Sequence, residues 1–154
     1  MFKALTHTFI YVLDQDEALD FYVGKLGLEV NADADLGYMR WLTVNVPGRP
    51  ESQLVLSMPE MGNDEETAAE VRALVTKGGG SGIIFSVDDC RRTYEELVAK
   101  GVEFTQEPTE HFYGIDCGLR DPFGNPLRFT QPAPGPIEVP RPDGSSAATI
   151  IRSG

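Results

Sequence analysis

The same order of secondary-structure signals occurs twice in this chain of 154 residues. A strand pattern ending near Val12 is followed by an acidic helix cap, an amphipathic helix and a stop at Gly27. The pattern returns, with Val87 75 residues after Val12 and Gly101 74 residues after Gly27. Such a repeat predicts two copies of one module within a single domain.

Each copy predicts one helix and four strands in the order β-α-β-β-β. In the first copy the helix is predicted at 16–26 and the strands at 6–13, 28–31, 38–46 and 53–58. In the second copy the helix is predicted at 91–100 and the strands at 82–87, 102–105, 114–120 and 126–131. The expected fold class is therefore α+β, with two tandem βαβββ modules.

The remaining segments complete the predicted domain organisation. We expect a single domain over residues 1–131, with module one at 5–59, a linker containing one helix at 60–81, and module two at 82–131. The C-terminal tail, 132–154, is rich in Pro and Gly and is expected to be mostly unable to pack. Within it, only the pattern at 147–151 allows a short edge strand or a partner contact.

Charge and hydropathy exclude several classes of partner. Thirteen Lys and Arg against 24 Asp and Glu give a formal net charge of −11, which opposes binding to nucleic acid and to anionic membranes. No run approaches the roughly 18 to 20 apolar residues of a membrane helix, and the start lacks a signal-peptide pattern. We therefore expect a cytoplasmic protein whose two cysteines, Cys90 and Cys117, are reduced and buried.

Four sequence segments resemble the vicinal oxygen chelate superfamily, which contains glyoxalase I, bleomycin-resistance proteins, fosfomycin-resistance enzymes and extradiol dioxygenases. These segments are HTFIYV, DEALDFYVGKLGLEV, SGIIFSVDD and RDPFGNPLRFTQ, and the resemblance spans roughly residues 5–131. It implies a cup made from a curved mixed sheet with the helices outside and a ligand inside. It also implies a divalent metal in many members, and a homodimer.

The resemblance assigns four metal-ligand positions, and this chain has a suitable side chain at one of them. His7 stands at the first position, whereas Leu56, Gly82 and Arg128 stand at the other three. Leucine and glycine side chains offer no donor atom, and an arginine repels a cation. One imidazole does not hold a catalytic metal, so we predict neither a metal nor a cofactor.

Strand alternation places further side chains on the same face as those positions, because successive residues of a strand point to opposite sides. The predicted set is mainly apolar with a few polar groups, as small-molecule pockets are. Its members are His7, Phe9, Tyr11, Leu54, Leu56, Met58, Gly82, Ile84, Ser86, Asp116, Gly118, Arg128 and Thr130. The ligand-binding candidates selected from it are His7, Phe9, Tyr11, Leu56, Met58, Asp116 and Arg128.

Several of these side chains also have a simpler structural interpretation. His7 is either a general base or a side chain that only hydrogen-bonds a neighbouring carbonyl. Asp116 and Arg128 either pair with each other, or leave Arg128 to anchor a ligand carboxylate. We predict the ion pair, which gives a nearly neutral pocket. Residues 111–113 are predicted on a loop that either borders the cup or forms a dimer contact.

Two functions are compatible with these features. The favoured one is a metal-free protein that binds a small, mainly apolar organic molecule in the cup, as the resemblance to the bleomycin-resistance branch implies. The alternative is a metal-independent isomerase or lyase that uses His7, Tyr11, Asp116 or Arg128 for acid–base chemistry. Enzymatic activity stays open and no catalytic residue is assigned. The expected partners are a small-molecule ligand and a second copy of the chain.

Overall fold

The computed structural model describes residues 1–150 and contains two copies of the βαβββ order. The first consists of β1 (His7–Tyr11), α1 (Gln15–Leu19) continuing as a π-helix (Asp20–Lys25), β2 (Glu29–Asp35), β3 (Arg40–Asn45) and β4 (Gln53–Ser57). Helix α2 (Glu65–Thr76) follows it. The second consists of β5 (Ile83–Ser86), α3 (Cys90–Ala99), β6 (Phe104–His111), β7 (Gly114–Arg120) and β8 (Pro126–Pro132). Within residues 1–150, every helix is too short or too polar to cross a membrane.

Each copy forms its own four-stranded mixed sheet. The strand orders are β1-β4-β3-β2 and β5-β8-β7-β6, so the first and last strands of each copy are neighbours. These neighbours run parallel, whereas the β2–β3, β3–β4 and β6–β7 pairs are antiparallel. The predicted α+β class with two tandem βαβββ modules is confirmed.

The first helix is wound differently from the predicted helix at 16–26. Its N-cap is Asp14, whose carboxylate accepts a hydrogen bond from a backbone N–H of the first turn at 2.9 Å. After a short α-helix, Asp20–Lys25 form a π-helix, and the adjacent Phe21 and Tyr22 are both buried. A period of 3.6 residues does not describe this wider turn, which is why two neighbouring side chains are both buried.

The described residues divide into two compact units. The first unit comprises Met1–Gly82 together with Arg120–Pro126. The second comprises Ile83–Leu119 together with the residues from Leu127 onward. The turn between β7 and β8, which contains the DPFGN sequence, therefore belongs to the first unit.

The carboxylate of Asp121 organises this turn within the first unit. One oxygen accepts hydrogen bonds from the backbone N–H groups of Phe123, Gly124 and Asn125 at 2.9–3.0 Å. The other accepts from the Tyr22 hydroxyl at 2.8 Å and from the Asn125 amide at 2.7 Å. Burial and the adjacent carboxylate raise the pKa of Tyr22, so its hydroxyl stays a donor. The DPFGN sequence is thus a structural turn.

Both cysteines are free thiols in the core of the second unit. Cys90 is the first residue of α3 and Cys117 lies in β7, and their Sγ atoms are 3.5 Å apart. Burial raises the pKa of both thiols, and that of Cys117 reaches about 12. The prediction that both are buried thiols is confirmed.

The C-terminal tail contains more structure than the sequence predicts. Strands β9 (Ile137–Pro140) and β10 (Ser146–Ile150) pair antiparallel as a hairpin. The expectation of a tail mostly unable to pack is wrong for this hairpin, because Ile137 is buried and supplies an apolar anchor among the prolines. The strand predicted at 147–151 overlaps β10, and its last residue lies outside the described residues.

Candidate functional site

One face of the sheet in the first unit carries an aromatic cluster. Phe9 on β1 is 53% exposed, and its ring centroid lies 6.1 Å from that of Trp41 on β3. The His7 ring lies 5.9 Å from the same tryptophan, and its Nδ1 is 2.9 Å from the Thr6 hydroxyl oxygen. Tyr11 ends the same strand at the same side-chain parity. The predicted His7, Phe9 and Tyr11 therefore share a face, and the ring contacts place Trp41, whose side the sequence does not fix, on the same face.

The strand register places Leu56 on the opposite face from this aromatic cluster. Residues paired across a parallel ladder point to the same side, and Leu56 pairs with Ile10 whereas Val55 pairs with Phe9. Leu56 and Ile10 are both buried. The prediction that Leu54 and Leu56 share a face with Phe9 is therefore wrong by one residue.

The error arises because β4 shows no alternation of apolar and polar residues. Four of the five residues in Gln53–Ser57 are buried, so hydropathy does not distinguish the two faces. The ladders place Gln53 and Val55 on the face of the aromatic cluster, and Thr43 beside them donates a hydrogen bond to Gln53 at 2.9 Å. Met58 lies beyond the end of β4, and its role stays a prediction.

The second unit contains a cavity of about 400 Å³ against one face of its sheet. In the parallel β5–β8 ladder, Ile84 pairs with Arg128 and Ser86 pairs with Thr130, which puts these four side chains on one face. Asp116 on β7 joins them in the cavity wall, so the shared face predicted for these five residues is present. The lining residues are Ile84, Ser86, Tyr113, Asp116, Arg128, Thr130 and Pro132.

Asp116 is the polar centre of this cavity. Its side chain is fully buried, and one oxygen accepts hydrogen bonds from the Tyr113 hydroxyl at 2.6 Å and from Arg128 Nη1 at 2.8 Å. The other oxygen accepts from Gln106 Nε2 at 3.0 Å and lies 3.1 Å from His111 Nε2. The predicted ion pair between Asp116 and Arg128 is confirmed.

Hydrogen bonding keeps Asp116 ionised despite its burial. Burial alone raises the pKa of this carboxyl group, but the hydrogen bonds from Tyr113 and Arg128 outweigh that effect and hold its pKa below the ordinary value. The hydrogen bond to Asp116 in turn raises the pKa of Tyr113. At neutral pH the site therefore contains a carboxylate, a neutral tyrosine and a guanidinium, and the Asp–Arg pair carries no net charge.

Gln106 and His111 contact Asp116, although the sequence pattern does not mark them as site residues. The second strand of module two is predicted to end at residue 105, whereas β6 continues to His111. The continuation contains Pro108, which argues against a central strand but is compatible with an edge strand such as β6. The predicted loop at 111–113 is consequently the tip of a hairpin, where the rings of His111 and Tyr113 stack at 4.9 Å.

A family profile covers both modules. The profile of the glyoxalase/bleomycin resistance protein/dioxygenase superfamily matches residues 4–129. The chain belongs to this superfamily. The resemblance drawn from the four sequence segments is thereby confirmed, and the match ends within β8, before the tail hairpin.

Several relatives match this superfamily member over most of their length. The protein YurT of Bacillus subtilis strain 168 is 34% identical over 124 residues, which cover 80% of this chain and 95% of YurT. The crystal structure of UcmS2 is 42% identical with a TM-score of 0.79, covering 84% of this chain and 98% of its own. TnmS3, an antibiotic binding protein from Streptomyces sp. CB03234, is 27% identical with a TM-score of 0.68, covering 86% and 98%.

The side chains at the metal-ligand positions of the superfamily do not fit a cation. Arg128 places a guanidinium against Asp116, whose oxygens already have hydrogen-bond partners. In the first unit, His7 shares its face with Val55 rather than with a carboxylate. Among residues 1–150, no three His, Cys, Asp or Glu side chains are grouped so that they could hold a metal ion. The donor set suits hydrogen bonding to an organic molecule.

Proposed function

We propose that this protein binds a small, mainly apolar organic molecule in the cavity of the second unit, without a metal ion. The observation that carries the proposal is the composition of the cavity wall. Ile84 and Pro132 give it apolar surface, and the Asp116–Arg128 pair gives it a polar group already fixed by neighbouring side chains. Small-molecule sites combine these two kinds of surface, and prior fixation reduces the entropy lost on binding.

The solved relatives support a binding role. TnmS3 is an antibiotic binding protein, and it shares 27% of its residues with this chain over 86% of the chain length. The cavity of about 400 Å³ lies within the size range of sites for drug-sized molecules. We infer a ligand of comparable size for this chain.

The aromatic cluster of the first unit offers an apolar contact surface of its own. Phe9 is half exposed and Trp41 lies beside it, so their rings can pack against an aromatic or aliphatic ligand. We propose ligand contact for His7, Phe9 and Tyr11 on this basis. The proposal also includes a homodimer in the cytoplasm, the latter supported by two free cysteines.

A thermal-denaturation screen tests the binding proposal. The purified protein is unfolded in the presence of each member of a panel of aromatic and aliphatic compounds that includes antibiotics. A ligand specific for the native state raises the midpoint temperature, because it stabilises the folded protein by about 2.7 kcal/mol at a hundred times its Kd. Ser86→Phe fills the cavity from an exposed position and is expected to abolish the shift, whereas Ser52→Phe, also exposed, is expected to preserve it. If no compound in the panel raises the midpoint temperature, the result contradicts the proposal.

The contact between His111 and Asp116 favours a second candidate function, a metal-independent isomerase or lyase. A carboxylate beside one imidazole nitrogen orients the ring and leaves the other nitrogen available for proton transfer. His111 Nε2 lies 3.1 Å from Asp116, and the His111 side chain is 35% exposed.

NMR of an identified ligand incubated with the protein in D₂O tests whether the protein catalyses proton transfer. Deuterium incorporation or conversion that His111→Gln abolishes indicates an enzyme, and an unchanged ligand indicates a binding protein.

A further inference from the structure

We infer that the ligand of the second-unit cavity carries a carboxylate, which binds the open Nε–Nη2 edge of Arg128. This inference rests on the proposed function and names the ligand class of the same site. The inference depends on which hydrogen-bonding groups of the cavity wall already have a partner and which do not.

Arg128 is engaged on one side and open on the other. Its Nη1 donates to Asp116 at 2.8 Å and to the side-chain oxygen of Gln106 at 3.1 Å. Within residues 1–150, no group accepts a hydrogen bond from its Nε or Nη2. These two nitrogens form a planar fork whose spacing matches the two oxygens of a carboxylate. The Arg128 side chain is 41% exposed and lines the cavity, and its Nη2 lies beside Gly118 of β7, where no side chain covers it.

The cavity wall offers hydrogen-bond donors rather than free carboxylates. Both oxygens of Asp116 are engaged by neighbouring side chains, and the side chain is fully buried. Ser86 and Thr130 lie beside each other on the ladder and present hydroxyl groups on the same face as Arg128. A cationic amine therefore finds no open anionic partner among the lining residues. A carboxylate finds a guanidinium edge with two hydroxyl groups on the same wall.

The net charge of −11 does not reverse this preference. At physiological salt, charges separated by more than about 8 Å are largely screened, so the overall charge affects the approach of a ligand more than its final contacts. Within the cavity the nearest charges are those of Asp116 and Arg128, which balance each other. The hydrogen bonds that Arg128 donates to Asp116 and Gln106 also hold the guanidinium in place, so that its open edge is oriented before a ligand binds.

Three naphthalene derivatives that differ in their head group test the inference. They are 2-naphthoate, the neutral 2-acetylnaphthalene and the cationic 2-(aminomethyl)naphthalene, and calorimetry at physiological salt measures their Kd. We expect 2-naphthoate to bind at least about tenfold more tightly than the ketone, because a charge-assisted bidentate contact exceeds a single neutral hydrogen bond. The amine is expected to bind more weakly still.

The possible results separate this inference from the proposed function. Equal affinity for all three compounds means that the cavity binds apolar molecules regardless of head group, which overturns the inference and leaves the proposed function intact. Tighter binding of the amine, or no binding of 2-naphthoate, also overturns the inference. The proposed function is then decided by the thermal screen over its wider panel.

Arg128→Lys tests the residue itself, because lysine keeps the positive charge but lacks the planar fork. We expect a loss of about tenfold in 2-naphthoate affinity and little change for the ketone. Arg72→Lys is the matched control, since Arg72 also binds a carboxylate, that of Glu60 at 2.6 Å, and its side chain is 37% exposed. Unchanged 2-naphthoate affinity in Arg128→Lys overturns the inference. If that variant fails to fold, the double variant Ser86→Ala with Thr130→Val replaces it. We expect the double variant to lower the affinity for 2-naphthoate more than the affinity for the ketone. An equal loss of affinity for both compounds overturns the inference.

Discussion

At the scale of single residues, the cavity depends on how Asp116 is compensated. A buried carboxylate is strongly unfavourable unless hydrogen bonds and a counter-charge replace its water. Tyr113, Gln106 and Arg128 provide these contacts at 2.6–3.0 Å. Because these contacts engage both of its oxygens, Asp116 holds the Arg128 guanidinium in a fixed position in the cavity wall.

Asp116→Asn is expected to lower the free energy of unfolding at pH 7 by about 1–3 kcal/mol, because the amide NH₂ cannot accept a hydrogen bond at one of the two oxygen positions and the neutral side chain leaves Arg128 without a counter-charge. The variant is also expected to lose less of its free energy of unfolding than the wild type as the pH is lowered. The folded-state pKa of Asp116 is lowered, so its contribution is present above the unfolded pKa of about 3.9 and is lost as pH falls through the lower folded value. Urea unfolding at neutral and stepwise lower pH measures both effects.

The control for this prediction is Glu107→Gln, which removes an exposed carboxylate from the same hairpin. We expect it to retain the acid-dependent loss of stability of the wild type. If the free energy of unfolding depends on pH in the same way in the wild type and in Asp116→Asn below about pH 4, the result contradicts the assigned role of Asp116.

The ion pair at this site could be predicted from the sequence, whereas its other partners could not. Asp116 and Arg128 occupy strand positions of the same parity in segments whose boundaries the sequence predicts almost correctly. Gln106 and His111 lie in a part of β6 where Pro108 and several polar residues conceal the strand. Edge strands tolerate such residues because one side of the backbone has no ladder partner.

At the scale of elements, local signals predicted the order of the fold and failed at register. The N-caps Asp14 and Asp89 both accept backbone hydrogen bonds, and the stops Gly27 and Gly101 have φ of +79° and +80°. Each of these is a local conformational preference that the sequence shows directly. The register of a strand can be predicted only when one of its faces is more apolar than the other. Because β4 is buried almost uniformly, its sequence does not show which side chains share a face with those of β1.

The turn between β7 and β8 makes a prediction at this scale. Gly124 has φ +113°, and a Cβ there would collide with the backbone carbonyl oxygen of Val75. Gly135 also has a positive φ, +73°, but a Cβ there would meet nothing within 4 Å. Gly135→Ala is expected to cost about 1–2 kcal/mol from backbone conformation alone. Gly124→Ala is expected to cost more than about 3 kcal/mol, because steric displacement adds to that cost.

Chemical unfolding of the two glycine variants under identical conditions measures the difference. Since both glycines are left-handed, the pair separates the steric contact from the conformational penalty. Equal destabilisation in the two variants contradicts the tight packing of this turn against the end of α2.

At the scale of the whole molecule, the four outer strands of the two sheets differ in how they resist association. Those strands are β1, β2, β5 and β6. Strand β2 reads EVNADAD and β6 contains Glu107, Pro108 and Glu110, which are residues that oppose pairing with another chain. Strands β1 (HTFIY) and β5 (IIFS) contain neither acidic residues nor proline. The charged edges are therefore protected, and the uncharged ones are suited to association.

We propose that a second copy of the chain associates through these uncharged strands, which expose Phe9 by 53% and Ile84 by 71%. Sedimentation at micromolar concentration is expected to give twice the mass of the chain. Ile84→Glu places a charge on β5 and is expected to shift the equilibrium toward monomer, because a desolvated charge at an interface has no partner there. Val98→Glu, on α3 and 46% exposed, is expected to leave the mass unchanged. Association through β5 is contradicted if the wild type sediments as a monomer at every concentration. It is also contradicted if the two variants change the sedimenting mass equally.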